Sequence, residues 1–237
     1  MRLDSYLAQN AYCKSREKAK ELIRTGKVSI NGNIITKTSF EILESLDNMI
    51  EINSKNMFVS RAGQKLLNYL LETKISCENK SILDVGSSTG GFAQVLLHKG
   101  ALEVTCVDVG YNQMDIDLKK DPRICLFEQC DIREFVSDKK FDLIVCDVSF
   151  ISLSKILDYL CRLGDKFILL FKPQFEVGRR VKRNKKGVIQ DKEAIKTKIK
   201  EFANELQSKN LAIYDMREST LKGKEGNEEF FFYIAKS

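Results

Sequence analysis

The chain has 237 residues, 43% of them hydrophobic and 30% charged, with a formal net charge of +6; this suits one sizeable α/β domain plus a small module, and favours a polyanionic partner. No apolar run approaches the roughly 20 residues that span a bilayer, and Met1-Arg-Leu-Asp-Ser-Tyr6 does not open a signal peptide, so the chain is expected in the cytoplasm and not in a membrane. Seven scattered cysteines without a C-x-x-C pair, and a lone histidine, His98, argue against a zinc framework and suit a reducing compartment.

Residues 1–52 read as a compact α+β unit. Ser15 is placed to cap a helix whose apolar positions are Ala19, Leu22 and Ile23, and Gly26 is placed to end it. Its exposed face carries Lys14, Arg16, Lys18, Lys20 and Arg24, and residues 1–37 hold eight Lys/Arg against three Asp/Glu. Val28-Ser-Ile30, Asn31-Gly32 and Asn33-Ile-Ile35 predict a hairpin, because Asn-Gly accepts the positive φ angles of a tight turn. Met49-Ile-Glu-Ile52 predicts a further strand, polar Asn53-Ser-Lys-Asn56 a linker, and residues 53–59 are read as joining the two domains. Through Arg2-Leu-Asp-Ser-Tyr-Leu7, Ser15-Arg-Glu-Lys-Ala19 and the Asn31-Gly32 turn, the unit resembles the S-four-type RNA-binding domain, named after a ribosomal protein. That resemblance implies RNA contacts from Arg2 and the basic helix. The Arg2-Leu-Asp4 triplet is also similar to the catalytic aspartate motif of pseudouridine synthases. Here it opens the binding module, so Asp4 is read as structural.

Beyond the linker, residues 60–237 read as a second domain. Ser81–Val85, Val104–Asp108, Leu143–Asp147 and Phe167–Phe171 are short apolar runs of the kind that form strands buried on both faces. Helical segments separate them, which predicts a Rossmann-like parallel sheet with helices on both sides. Ligands of such sheets bind beyond the carboxyl ends of the strands, so the polar residues ending these runs carry the functional reading.

Asp84-Val-Gly86-Ser87-Ser88-Thr89-Gly90-Gly91-Phe92 follows the first of these strands and opens a helix. Glycines let a ligand approach the backbone, and the free amides of the helix N-terminus favour a ligand carboxylate. The spacing fits neither a dinucleotide loop nor a nucleotide-triphosphate P-loop. It resembles the first motif of S-adenosylmethionine-dependent methyltransferases. Asp108, ending the second strand, is then expected to accept hydrogen bonds from both ribose hydroxyls. Asp131, after a third short strand, suits the adenine amino group.

Asp147 ends the next strand beside the expected cofactor, within Cys146-Asp-Val-Ser-Phe150. The Asn/Asp-Pro-Pro-aromatic sequence of amino-methylating enzymes is missing, and Cys146 is read as core and not as a nucleophile. Lys172 ends the following strand, in Phe171-Lys-Pro-Gln-Phe-Glu176. A lysine and an aspartate ending neighbouring strands suggest chemistry, although a structural ion pair would look the same.

Taken end to end, the chain resembles the TlyA family of ribosomal RNA 2′-O-methyltransferases, an S-four-type domain fused to an FtsJ/RrmJ-like methyltransferase domain. The matching segments are Ser60–Leu66, Asp84–Phe92, Asp147–Ser152, Lys172–Glu176, Gly187-Val188 and Gly226–Phe231. Ala62 replaces a common glycine, and Thr220 stands where proline is frequent. The resemblance implies a Lys-Asp-Lys-Glu tetrad at Lys65, Asp147, Lys172 and Glu229. It needs no metal. In this reading Lys172 removes the proton of a ribose hydroxyl, since a second cation and partial burial both favour a neutral amine. The expected substrate is cytidine in ribosomal RNA within ribosomal subunits, with the large subunit favoured because the chain starts at the module itself. A second basic run in residues 172–200, with eleven Lys/Arg against three Asp/Glu, adds Arg179, Arg180, Lys182, Arg183, Lys185 and Lys186 as RNA contacts, with Arg61 a further one. The alternatives are a non-catalytic RNA-binding assembly factor and, from a label the family has carried, a haemolysin. No protein partner is indicated.

Overall fold

The computed structural model describes residues 1–42, 50–52, 58–178 and 181–236. Met49 of the expected third strand, residues 53–57 of the expected linker, and Arg179 and Arg180 lie outside the described residues. The chain divides into two units, Met1–Met57 and Phe58–Ser237.

In the first unit, α1 (Leu3–Gln9) and α2 (Arg16–Arg24) precede β1 (Val28–Ile30), β2 (Asn33–Ile35) and β3 (Ile50–Ile52), which form an antiparallel sheet in the order β2-β1-β3. Ser15 caps α2 by accepting the Lys18 amide, and Asn31 and Gly32 take positive φ as the hairpin requires. Leu3 and Leu7, one turn apart, meet Ala19, Leu22 and Ile23 over Val28 and Ile30 in a small closed core. Asp4 is fully buried there and bonds Arg2 Nε at 3.0 Å and Arg16 Nε at 3.1 Å. The hydrogen bond from Arg2 holds its carboxyl down to about 2. Asp4 is therefore a structural clamp on two arginines, as its position in the sequence suggests.

The second unit begins with Phe58, buried against α3 (Arg61–Thr73). It continues through β4 (Ser81–Val85), α4 (Gly91–His98), β5 (Glu103–Val107), α5 (Ile116–Lys119), β6 (Ile124–Phe127), β7 (Leu143–Cys146), α6 (Leu157–Leu163), β8 (Lys166–Phe171), α7 (Pro173–Glu176), α8 (Lys192–Ser208), β9 (Leu211–Glu218) and β10 (Phe230–Lys236). The seven-stranded sheet has the order β6-β5-β4-β7-β8-β10-β9. Strands β4 to β8 are parallel, and their order reverses between β4 and β7. Helices α3 and α4 cover one face with Phe231, and α6 and α8 cover the other with Phe232, so alternate residues of β10 serve both cores.

The far edge of the sheet departs from the all-parallel expectation. Strand β10 runs antiparallel to β8, and β9 antiparallel to β10. Because of that reversal, the start of β10 lies at the carboxyl end of β8, with Phe230 opposite Phe171. This places the residue before β10 beside the residue after β8.

Candidate functional site

Those two residues are Glu229 and Lys172, and both are buried, at 3% and 9% exposure. Asp147 follows the neighbouring β7, where its amide bonds the Val85 carbonyl at 2.9 Å. Lys65 comes from the second turn of α3 and is 8% exposed. The four side chains form two close pairs: Lys65 Nζ lies 2.6 Å from Glu229 Oε2, and Lys172 Nζ lies 2.6 Å from Asp147 Oδ1. Burial raises the Asp147 carboxyl above its ordinary value, against the pull of Lys172 and Lys65, and Glu229 adds to the rise. All four groups thus share one electrostatic field. In this resting arrangement each cation has its own carboxylate, a different geometry from two lysines simply facing each other.

Glycine is needed where this cluster is tightest. A Cβ on Gly223 would lie 2.6 Å from Glu229 Oε1, so the turn over the carboxylate closes only without a side chain. Ser149 accepts a hydrogen bond from Lys172 Nζ at 3.0 Å, giving the amine a further fixed neighbour. Cys146, by contrast, is buried in the core behind Asp147, and burial pushes its thiol up to about 12, which removes it as a nucleophile.

Beside the tetrad lies a cavity of about 470 Å³, at the carboxyl ends of β4, β5 and β7. Small-molecule sites typically span roughly 300–1,000 Å³. Its walls include Gly86, Ser88, Val107, Asp108, Asp131, Ile132, Asp147 and Ile156. Gly86 has φ +80°, and a Cβ there would meet the Asp147 carbonyl oxygen at 2.9 Å, so glycine brings this loop against the chemistry. Asp108 accepts from the amides of Ser88 (2.8 Å) and Gly110 (2.6 Å). Asp131 pairs with Arg133 at 2.6 Å, and the Arg133 hydrogen bond lowers its carboxyl below the ordinary value. Three carboxylates around apolar walls fit a ligand rich in hydroxyl and amino donors with a cationic centre, as S-adenosylmethionine is.

The other expected cofactor residues sit differently. Asp84, Ser87, Thr89, Gly90, Gly91 and Phe92 are not among the cavity walls. Phe92 joins the core, and Asp84 is fully buried, where desolvation and then the Asp147 charge push its acid well above the ordinary range. The glycines at 90 and 91 turn the chain into α4, so what this stretch offers a ligand is backbone.

Residues in and around the cavity also escaped the sequence reading. Phe150, on the cavity wall, is 90% exposed at φ +67°, an uncommon conformation for a bulky residue, and its ring lies 5.1 Å from that of Phe175. Glu176 accepts from Ser152 Oγ (2.6 Å) and the Leu153 amide (2.8 Å), which ties the loop bearing Phe150 to the segment after Lys172. Both stretches lie within segments that match the TlyA family, Asp147–Ser152 and Lys172–Glu176, but nothing local marks Phe150 or Phe175. Such strain persists where the surrounding structure holds it, commonly at functional loops.

The expected RNA contacts are paired in part. Besides the Asp4 clamp on Arg2 and Arg16, Lys18 pairs with Glu21 at 3.2 Å and Lys20 with Glu17 at 2.6 Å along α2. Lys14 and Arg24 are exposed. In the second unit Lys182, Lys185 and Lys186 are exposed, Arg183 donates to the Gln174 carbonyl at 3.1 Å, and Arg61 donates to the Lys222 carbonyl at 2.9 Å. The Asn227 side chain accepts the Ile189 amide at 3.1 Å, which anchors this basic loop two residues before Glu229.

Comparison with known proteins identifies the family and the fold. Residues 58–236 match the FtsJ-like methyltransferase family, and residues 1–47 match the S4 domain. A 23S rRNA (cytidine-2′-O)-methyltransferase, TlyA, of Campylobacter jejuni is 42% identical over 100% of both chains. A 16S/23S rRNA (cytidine-2′-O)-methyltransferase, TlyA, of Mycobacterium tuberculosis is 34% identical over 98% of this chain and 89% of its own. A solved protein from Streptococcus thermophilus that carries a hemolysin name superposes with a TM-score of 0.74, at 30% identity, covering 100% of this chain and 88% of that one.

Proposed function

Since the chain belongs to the TlyA family of FtsJ-like methyltransferases, we propose that it methylates the ribose 2′-oxygen of a cytidine in ribosomal RNA, using S-adenosylmethionine. The observation that carries this reading is the pair of buried lysine–carboxylate contacts at the edge of a carboxylate-lined cavity. The large subunit is the favoured target, because the relative at 42% identity is named for 23S RNA. The substrate would place the enzyme in the cytoplasm, acting on ribosomal subunits. Labelled S-adenosylmethionine offered with each unmodified subunit separately tests this choice, and transfer confined to the small subunit would refute it.

When bound, the cofactor supplies an electrophilic methyl group on a sulfonium. Everything else falls to the chain. Asp108 accepts hydrogen bonds from the cofactor's ribose hydroxyls, Asp131 from its adenine amino group, and the amides opening α4 receive its carboxylate. Lys172, once its ammonium has released a proton to solvent, takes the proton of the RNA 2′-hydroxyl as that oxygen attacks, an acid–base role that contributes about 10²–10⁴-fold in typical enzymes. Asp147 and Ser149 hold the Lys172 nitrogen in place, and the Lys65–Glu229 pair fixes the field around it. A lytic function has less to work with: among the described residues, no helix is long and apolar enough to cross a membrane.

Cofactor and RNA binding can each be tested by substitution. Asp108→Ala should weaken cofactor binding by about 1–3 kcal/mol, through lost acceptors and released loop amides. Calorimetry with unchanged affinity would remove Asp108 from the site. For the RNA, replacing Lys14, Lys20 and Arg24 with alanine leaves the Asp4 clamp intact, whereas replacing Arg16 would strip a partner from a buried carboxylate. The triple variant should bind subunits more weakly, and its salt dependence should flatten by about 0.9 in log–log slope for each phosphate that is no longer neutralised. Overlaying binding curves across a salt series would mean that the basic helix is only a solvated surface.

A further inference from the structure

We propose that Gln113 is a ribose-binding residue of the cofactor cavity, working as the donor partner of Asp108; this rests on the S-adenosylmethionine reading above. Gln113 lies in the segment between β5 and α5, lines the cavity, and is itself exposed. Its Oε1 accepts a hydrogen bond from Ser88 Oγ at 3.0 Å, so the carboxamide bridges from the segment after β5 to the loop after β4. Ser88 also donates its amide to Asp108. The same few residues therefore converge on one end of the cavity.

Gly110 shows how closely they converge. A Cβ on Gly110 would lie 1.9 Å from Gln113 Nε2 and 2.9 Å from Asp108 Oδ1. Both the amide nitrogen and the carboxylate thus crowd the space over the same bare Cα, and both residues line the cavity. The backbone beneath them is held independently of any ligand. The Gln113 amide donates to Glu128 Oε1 at 3.3 Å, and Lys119 bonds both Glu128 (3.2 Å) and the Asn112 side-chain oxygen (3.1 Å). Above that fixed backbone, the carboxamide would have to turn from Ser88 to meet a ligand.

The chemistry of a ribose diol calls for such a partner. Each hydroxyl is both donor and acceptor, whereas an ionised aspartate only accepts. Asp108 can receive the hydroxyl protons but offers nothing to the hydroxyl oxygens. Gln113 Nε2, over the same glycine as Asp108 Oδ1, supplies the missing donor, and Oε1 can serve the second hydroxyl. Neither strand-end logic nor the glycine loop points to this residue, because it lies past the strand in an irregular segment.

The test is a coupling measured by calorimetry on the full chain, with S-adenosylhomocysteine and its 2′,3′-dideoxy counterpart as probes. Gln113→Ala should weaken the ribose-bearing ligand about tenfold, as expected for one lost hydrogen bond in a partly closed site, and leave the dideoxy ligand unchanged. Gln113→Glu should weaken the ribose ligand further, since it sets a second acceptor and charge beside Asp108. Gly110→Ala, whose Cβ crowds both the carboxamide and Asp108 Oδ1 at a position without positive φ, should weaken the ribose-bearing ligand at least as much as Gln113→Ala. Equal weakening of both ligands would show that Gln113 merely shapes the loop, and no weakening would show that it is idle; either overturns the proposal. If the wild-type protein bound neither ligand, the cofactor reading itself would fall, and this inference with it.

Discussion

Replacing Lys172 with arginine should lower methyl transfer by about 10²–10⁴-fold while cofactor and RNA still bind. Arginine keeps the positive charge and can still pair with Asp147, but it does not give up its proton near neutral pH. The substitution therefore separates proton acceptance from charge. Lys172 is the right residue to ask about because it is 9% exposed, 2.6 Å from Asp147 and 3.0 Å from Ser149, so its nitrogen has little freedom. Single-turnover measurements with saturating cofactor read the chemical step directly. Retained turnover would leave Lys172 a positioning cation, and intact binding of both ligands without any turnover even in the wild-type chain would revive the non-catalytic RNA-binding alternative.

The second large effect concerns the other pair. Glu229→Ala leaves the Lys65 ammonium buried beside no carboxylate of its own, and breaking a buried pair on one side typically costs about 3–5 kcal/mol. Denaturant unfolding should report that loss as a lower midpoint with little change in slope. The double variant Lys65→Met, Glu229→Leu removes both charges and should recover most of the stability, because apolar residues often replace a buried pair without penalty. Activity should stay lost in the double variant if the pair shapes the field around Lys172. A stable double variant that methylates at the wild-type rate would reduce Lys65 and Glu229 to a structural ion pair.

How far the sequence leads depends on how local each feature is. The parallel strands, the glycine loop and the aspartates at 108, 131 and 147 were legible because βαβ units place strand-end residues by chain order alone. Lys172 followed by the same logic. Lys65 and Glu229 are 164 residues apart, and they meet because β10 enters the sheet antiparallel to β8, a pairing that no local pattern announces. They were reachable only through the family resemblance. Phe150 and Gln113 belong to irregular segments, where neither periodicity nor a strand end marks a position. In the first unit, composition counted charges correctly but could not see that Asp4, Glu17 and Glu21 engage the cations at Arg2, Arg16, Lys18 and Lys20.

The central claim is chemical: a methyl group arrives on a ribose oxygen of cytidine, and Lys172 makes that oxygen reactive. The most direct measurement treats unmodified ribosomal subunits with the purified protein and S-adenosylmethionine, digests the RNA to nucleosides and identifies the methylated product by mass spectrometry. The expected result is 2′-O-methylcytidine at one site, formed by the wild-type chain and lost with Lys172→Arg. Methylation on a base, or an equal yield of 2′-O-methylcytidine from Lys172→Arg, would contradict it.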